Sequence, residues 1–210
     1  MRRKTCKSFP ERTVELFQGK NYIKQNFFCP GLFYLKTEIM SNTLTYQGKT
    51  SKAVFIKMAL DAWNVYIDRA NKLINSLSDE QLLADTAPGR NSGIYLFGHL
   101  IAIHDSIIEI LGLGERLYPQ LDEPFVDNPD KSGLPMPSLN ELKEYWDTVN
   151  TRLSAHLSGI PESEWFTRHN RVSEGDFIKE PHRNKLNIII NRTNHLAYHL
   201  GQLVYLEKKR

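Results

Sequence analysis

From Ser51 onward the chain takes on a helical rhythm. Ile56, Leu60, Trp63, Ile67, Ala70, Ile74 and Leu77 recur at alternating four- and three-residue steps, the spacing that lines one face of an α-helix. The pattern predicts a first long helix ending near Leu77. Ser78 and Gln81 then form a Ser-x-x-Gln capping box that opens a short turn through Leu83. Pro88-Gly89-Arg90-Asn91 breaks the chain. Ser92 can cap a second helix carrying Ile94, Phe97, Leu100, Ile101, Ile107, Ile108 and Leu111, which Gly112 and Gly114 end. Ser138-Leu139-Asn140-Glu141 is another capping box, and Leu142, Trp146, Val149, Leu153 and Leu157 mark a third long helix ending at Gly159. Pro161 to Trp165 opens a short turn, an irregular stretch follows to about Pro181, and a fourth helix runs from about Arg183 to Lys208.

The two halves share an outline: long helix, short capped turn with acids, irregular segment, then a helix bearing histidine. This predicts an all-α fold, two helical hairpins packed as a four-helix bundle with long connecting loops. Residues 115–137 form one such loop, with five prolines and the acids Glu115, Asp122, Glu123, Asp127 and Asp130. A connection of this length without helical pattern is uncommon unless it has a function. Two readings stand: a lid over one end of the bundle, or a solvated strap joining distant helix ends.

Charge changes the picture only at the N-terminus. Of the net +3, residues 1–39 hold eight Lys/Arg against three Asp/Glu, leaving 19 basic and 21 acidic residues in 40–210. The body is therefore mildly acidic, with no basic stripe, which argues against nucleic acid as a partner. No run approaches the ~20 apolar residues of a membrane helix, and Glu11, Arg12 and Glu15 interrupt any signal-peptide core. The expectation is a cytoplasmic protein with no membrane association and homodimerisation as a plausible state. Residues 1–49 read as an irregular, disordered basic extension and 50–210 as the bundle domain. Met40 is expected to be the true start, with 1–39 dispensable; peptides from 1–39 in the mass spectrum of the native protein would overturn this. Both cysteines, Cys6 and Cys29, fall in the extension. The body thus has no cysteine nucleophile, disulfide or Cys-based metal site.

Candidate chemistry centres on Asn194-His195-Leu196-Ala197-Tyr198-His199-Leu200-Gly201-Gln202. Its two imidazoles stand at i and i+4, one above the other on a helix face. Ile188, His195, His199 and Leu206 make one stripe, flanked by Ile189, Leu196, Leu200 and Leu203, so the histidines should point inward. A buried imidazole needs partners for its ring nitrogens. Two readings remain open: core histidines bonded to backbone or carboxylates, or a pair of ligands to one metal ion, with a third ligand from another helix. On the second helix His99 is the candidate for that third ligand. His104 lies about 140° further round at 3.6 residues per turn and reads, beside Asp105, as a peripheral or supporting residue.

The early Ser92-Gly93-Ile94-Tyr95-Leu96-Phe97-Gly98-His99-Leu100 and the late His195-x-x-x-His199-x-Gly201-Gln202-Leu203 resemble the DinB/YfiT-like superfamily over residues 50–208. The resemblance implies a four-helix bundle and a divalent cation, commonly zinc or nickel, held by His99, His195 and His199. Family members with known activity include thiol-dependent isomerases and S-transferases that use small thiols. Three neutral imidazoles would leave the ion's charge intact and a coordination position open. Such an ion acidifies a water or a thiol, so the site suits a hydrolase or a thiol S-transferase acting on a small molecule. Thiol transfer is the preferred of the two. The other reading is a non-catalytic, metal-stabilised bundle acting as a binding or stress-response module.

Asp105, Glu109, Asp176 and His182 are within reach of a general-base role but read as solvated surface charge. Gln202 suits either orientation of a ligand or packing at the helix end, and Gly201 suits close helix contact. Trp63, Trp146 and Trp165 read as core and rim residues.

Overall fold

The structure is a computed structural model and describes residues 50–207. The expectations for residues 1–49, including Met40, Cys6 and Cys29, and for the last three residues lie outside these. Six α-helices follow in order: α1 Ser51–Ser76, α2 Asp79–Leu83, α3 Gly93–Ile110, α4 Leu139–Gly159, α5 Glu174–Lys179 and α6 Lys185–Leu203. The four long ones form the bundle, and the all-α prediction holds.

Local chemistry places the helix starts where the sequence puts them. Thr50 Oγ1 accepts from the Ala53 amide at 3.1 Å, and Ser92 Oγ from the Tyr95 amide. Both predicted capping boxes form, Ser78 with Gln81 and Ser138 with Glu141. Each such cap contributes about 1 kcal/mol by satisfying an amide that has no helical partner.

α1 packs along α6, α6 along α3, and α3 along α4. The ring closes where Trp146 Nε1 of α4 donates to Asn71 Oδ1 of α1 at 2.7 Å. α3 and α6 run antiparallel, with Gly93 at the start of α3 meeting Leu206 just beyond the end of α6. Phe97, Leu100 and Ile101 of α3 centre one half of the core, against Leu142, Trp146 and Val149 of α4 and Leu196, Leu200 and Leu203 of α6. Ile107 and Ile108 centre the other half with Trp63, Leu153, Trp165 and Ile189. Full burial of each such side chain favours folding by about 1.5–3 kcal/mol. Of the tryptophans expected at core and rim, all three are buried. α3 departs from the sequence expectation. Its 18 residues and mean hydropathy of 1.3 suffice, by length and composition, for a membrane span, yet most of it is buried, chiefly under α4, α6 and the loop 115–137.

The loop 115–137 is a strap rather than a lid: it runs back along α3 to join distant helix ends, but its first half is packed into the core instead of solvated. It holds a 3-10 turn at Pro119–Leu121 and a π turn at Glu123–Asp127, and Leu121 and Phe125 are sunk in the core. Asp105 clamps its start. That carboxylate, wholly buried rather than solvated, accepts from the Leu117 and Tyr118 amides at 2.8 and 3.0 Å and from Arg116 Nε at 3.2 Å. Arg116 also grips Asp122 through Nη2 at 2.7 Å. Further along, Tyr95 Oη donates to the Asn128 carbonyl at 2.8 Å, and the Ser92 amide donates to Asp130 at 2.7 Å. The loop is thereby pinned along α3, beside His99.

Two other differences are local. The stretch before Pro181 contains α5, opened by Ser173 Oγ accepting from the Asp176 amide at 3.1 Å. The fourth helix ends at Leu203 in a 3-10 turn over Val204–Leu206. Asp176 accepts from the capping Ser173 hydroxyl and, like Glu109 and His182, is exposed, as expected of surface groups.

Candidate metal centre

Helical spacing stacks His195 and His199 on α6, and antiparallel packing brings His99 of α3 against them. Both His99 Nε2 and His199 Nε2 lie 3.1 Å from His195 Nε2. The ring centroids are 4.5–5.1 Å apart. The structure therefore gathers the three histidines singled out in the sequence into one group able to hold a metal ion.

The site sits at the edge of the core rather than inside it. The buried stripe of α6 is Ile189, Leu196, Leu200 and Leu203, while His195 and His199 lie on its flank and remain partly exposed. The apolar face is thus rotated from the predicted one. The consequence is functional, because edge placement gives a ligand a way in.

Hydrogen bonding fixes which nitrogens face the centre. His99 Nδ1 lies 2.7 Å from the Phe125 carbonyl, which can only accept, so Nδ1 carries the proton. His199 Nδ1 donates in the same way to Gln202 Oε1 at 2.8 Å. In the neutral rings both Nε2 atoms then present lone pairs to the same point. His195 Nε2 has at most one proton to offer the two of them. Its buried Nδ1 has no hydrogen-bond partner. Protein hydrogen bonds alone leave this cluster unsatisfied.

A cation resolves the conflict. Nitrogens bound at ~2.0–2.1 Å to a tetrahedral ion lie ~3.4 Å from one another, close to the 3.1 Å spacings found. Burial, outweighing every other influence, lowers the basicity of all three rings, and neighbouring rings and Arg192 add to this. His195 is pushed down to about 3. The imidazoles are neutral near pH 7, so metal need not displace protons from them.

The loop and α3 are shaped to hold His99 in place. A Cβ on Gly98 would come 2.6 Å from Phe125 Cδ1, so only glycine lets the Phe125 ring lie flat enough on α3 for its carbonyl to reach His99. The sequence reading did not find this carbonyl, since no side-chain motif marks a backbone acceptor. Gly98 beside His99 is the one trace of it. Gly201 is a different case. Nothing lies within 4 Å of a Cβ placed there, so it does not serve close helix contact as expected.

His104 does not join the site. It is fully buried between Trp63 and Trp146, with ring centroids 4.8 and 5.1 Å away. Asn150 Nδ2 donates to the Trp146 carbonyl, which leaves Asn150 Oδ1 to accept from His104 Nδ1 at 2.9 Å. The peripheral reading of His104 is therefore corrected to a core residue, carried inward by the same rotation that keeps it off the His99 face.

An open pocket of about 550 Å³ lies beside Gln202 and Tyr198, both neighbours of His199, and is lined on its other side by Thr86, Arg90 and Asn91; none of the three histidines lines it. Its size suits a small molecule.

Bundle topology and a three-histidine edge site define a class of helical protein with metal-binding capacity. A sequence model of the DinB superfamily matches residues 64–203, and the chain belongs to that superfamily. Among solved structures, it is similar to a conserved protein from Enterococcus faecalis, with a TM-score of 0.52 and 16% identity over 71% of this chain and 93% of that one. That likeness concerns the fold alone. No curated protein matches the chain.

Proposed function

We propose that the protein is a metal-dependent enzyme whose His99, His195 and His199 hold one divalent cation, zinc or nickel, for thiol S-transfer to a small-molecule electrophile. The observation that carries this is the convergence of three Nε2 atoms, two of them fixed as lone-pair donors by Phe125 O and Gln202. When bound, such an ion supplies Lewis acidity that favours the thiolate form of a thiol. The protein's part is to hold the rings in one tautomer and to keep the site at the bundle edge, where substrate enters. The pocket beside Gln202 offers room for the thiol's remainder. Residues 50–207 contain no cysteine, so the thiol comes from a low-molecular-weight co-substrate.

Transfer is favoured over hydrolysis because, among the described residues, no carboxylate is hydrogen-bonded to the three rings. A hydrolytic site generally needs a positioned base to manage the proton of water, and Asp105, the nearest buried acid in sequence, is consumed by the loop clamp.

The test is elemental analysis of untagged protein, wild type and His195→Ala, followed by turnover assays with small thiols and electrophiles. Near-stoichiometric zinc or nickel lost in the variant, with thiol-dependent turnover lost alongside, is the expected result. Absence of metal even after reconstitution would overturn the proposal. Metal without turnover of any substrate class, its loss lowering only the melting temperature, would leave a metal-stabilised binding module instead.

A further inference from the structure

One charged side chain near the site has no use in the fold. Arg192 stands three residues before His195 and seven before His199, on the same stripe of α6. The residue is half-buried, and its Nε is enclosed without a hydrogen-bond partner. Among the described residues it makes no ion pair. Burial, and after it the charge of Arg171, a second cation, disfavour its charged form. Its own positive charge reaches His99, His104 and His195 and lowers the basicity of all three, which places it beside the cluster.

A half-buried cation whose Nε is cut off from both water and any acceptor is costly to keep with only cationic company. Arginine does not escape by losing its proton, since its pKa stays far above neutrality. Arg116, also half-buried, shows the usual solution. It is matched by Asp105 and Asp122. Nothing in residues 50–207 does the same for Arg192, and a divalent ion on the histidines would add to the positive field. An anion from beyond residues 50–207 is what completes this arrangement.

Resting on the metal-centre reading above, we infer that Arg192 is the binding group for a carboxylate of the substrate. The planar guanidinium accepts a carboxylate through paired N–H donors. Arg192 and His195 stand three residues apart on one face of α6, neighbours on the helix surface, so one small molecule can engage both. The substrate class is a short carboxylic acid bearing a soft or polar donor two or three carbons away.

The experiment compares 3-mercaptopropionate with uncharged 1-propanethiol on Co2+-loaded protein, read by the visible thiolate-to-cobalt bands. Wild type, Arg192→Lys and Arg192→Gln are titrated, and circular dichroism confirms their fold. The expected preference of wild type for the carboxylate-bearing thiol is about tenfold, reduced in Arg192→Lys and abolished in Arg192→Gln. Equal affinities in wild type, or a preference that survives Arg192→Gln, would overturn the inference. A second arm is independent of metal. Chelator-treated wild type is expected to gain melting temperature with succinate and Arg192→Gln is not; identical responses would likewise overturn it. Failure of cobalt to load, with the succinate difference intact, would sink the metal reading and leave the carboxylate site standing.

Discussion

Four histidines lie between α3 and its neighbours, and they separate into two environments. Burial lowers the basicity of His99, His195, His199 and His104 alike. His104 is sealed between two tryptophans with Asn150 as its partner. The other three turn Nε2 atoms toward a common point at the bundle edge. Burial alone thus makes a histidine neutral. Convergence, with the outer nitrogens of His99 and His199 already committed, is what makes a ligand set. His104 should therefore be a stability residue and the cluster a binding residue group, and each prediction below pushes on that division.

The largest effect is expected from removing His104. His104→Ala empties a fully enclosed space and leaves Asn150 Oδ1 without its donor, a loss of about 2–4 kcal/mol in urea unfolding, with metal content per folded molecule unchanged. His195→Ala should do the reverse. In the metal-free protein it removes a ring whose lone pairs conflict with those of its neighbours, so stability changes by less than about 1 kcal/mol while metal binding is lost. Swapped outcomes would break the distinction between the two environments.

Acid sharpens it further. His104 titrates at about 4 in the folded protein, against about 6.5 when unfolded. Because its folded value is the lower one, the unfolded chain binds the proton first. The stability that neutral His104 contributes is complete above pH 6.5 and is lost progressively between pH 6.5 and 4. The loss is on the order of 3 kcal/mol by linkage. His99, His195, His199 and His169 shift in the same direction and add to the slope, though solvent exposure mutes their share. Urea unfolding of metal-free protein from pH 7 to 4 measures the sum. His104→Leu should flatten a large part of the slope; an unchanged slope would show that the edge histidines carry it.

The third effect is smaller and acts on the loop. Gly98→Ala forces the Phe125 ring off α3, and overpacking of this kind costs about 1–3 kcal/mol. It also withdraws the carbonyl that fixes His99, so metal affinity should fall together with stability. Chelator competition and urea unfolding on the same variant test the coupling. A stability loss without any change in affinity would show that His99 holds its tautomer by other means.

The sequence carried these features unequally. Periodicity and capping boxes placed the four long helices because both are local, set by residues within one or two turns. The i, i+4 pair and the apolar segment around His99 marked the cluster for the same reason. What escaped is non-local. The exact rotation of α6 about its axis is decided by packing against α1 and α3, so the histidines read as core residues and lie at the edge. His104 and Asp105 read as peripheral and are wholly buried, because their partners Asn150 and Arg116 come from a distant helix and from a loop without pattern. The Phe125 carbonyl belongs to a proline-broken stretch whose π turn no periodicity announces.

Gln202 gives the smallest expected effect and the finest test. Its Oε1 is the acceptor for His199 Nδ1, the side-chain counterpart of what Phe125 O does for His99. A backbone acceptor cannot be deleted by substitution, whereas Gln202→Ala removes this one and leaves the ring in place. His199 is partly exposed, so water can take over the Nδ1 proton and stability should hold within ~0.5 kcal/mol. Orientation is what is lost. Metal affinity should fall about tenfold, at the lower end of what such supporting hydrogen bonds contribute. Gln202→Glu should keep or raise affinity, because a carboxylate accepts the same bond more strongly and makes the ring a better donor. Chelator competition across the three proteins ranks them. If Gln202→Ala binds as tightly as wild type, packing rather than the hydrogen bond aims His199, and the contrast with His104 narrows to the convergence of the rings alone.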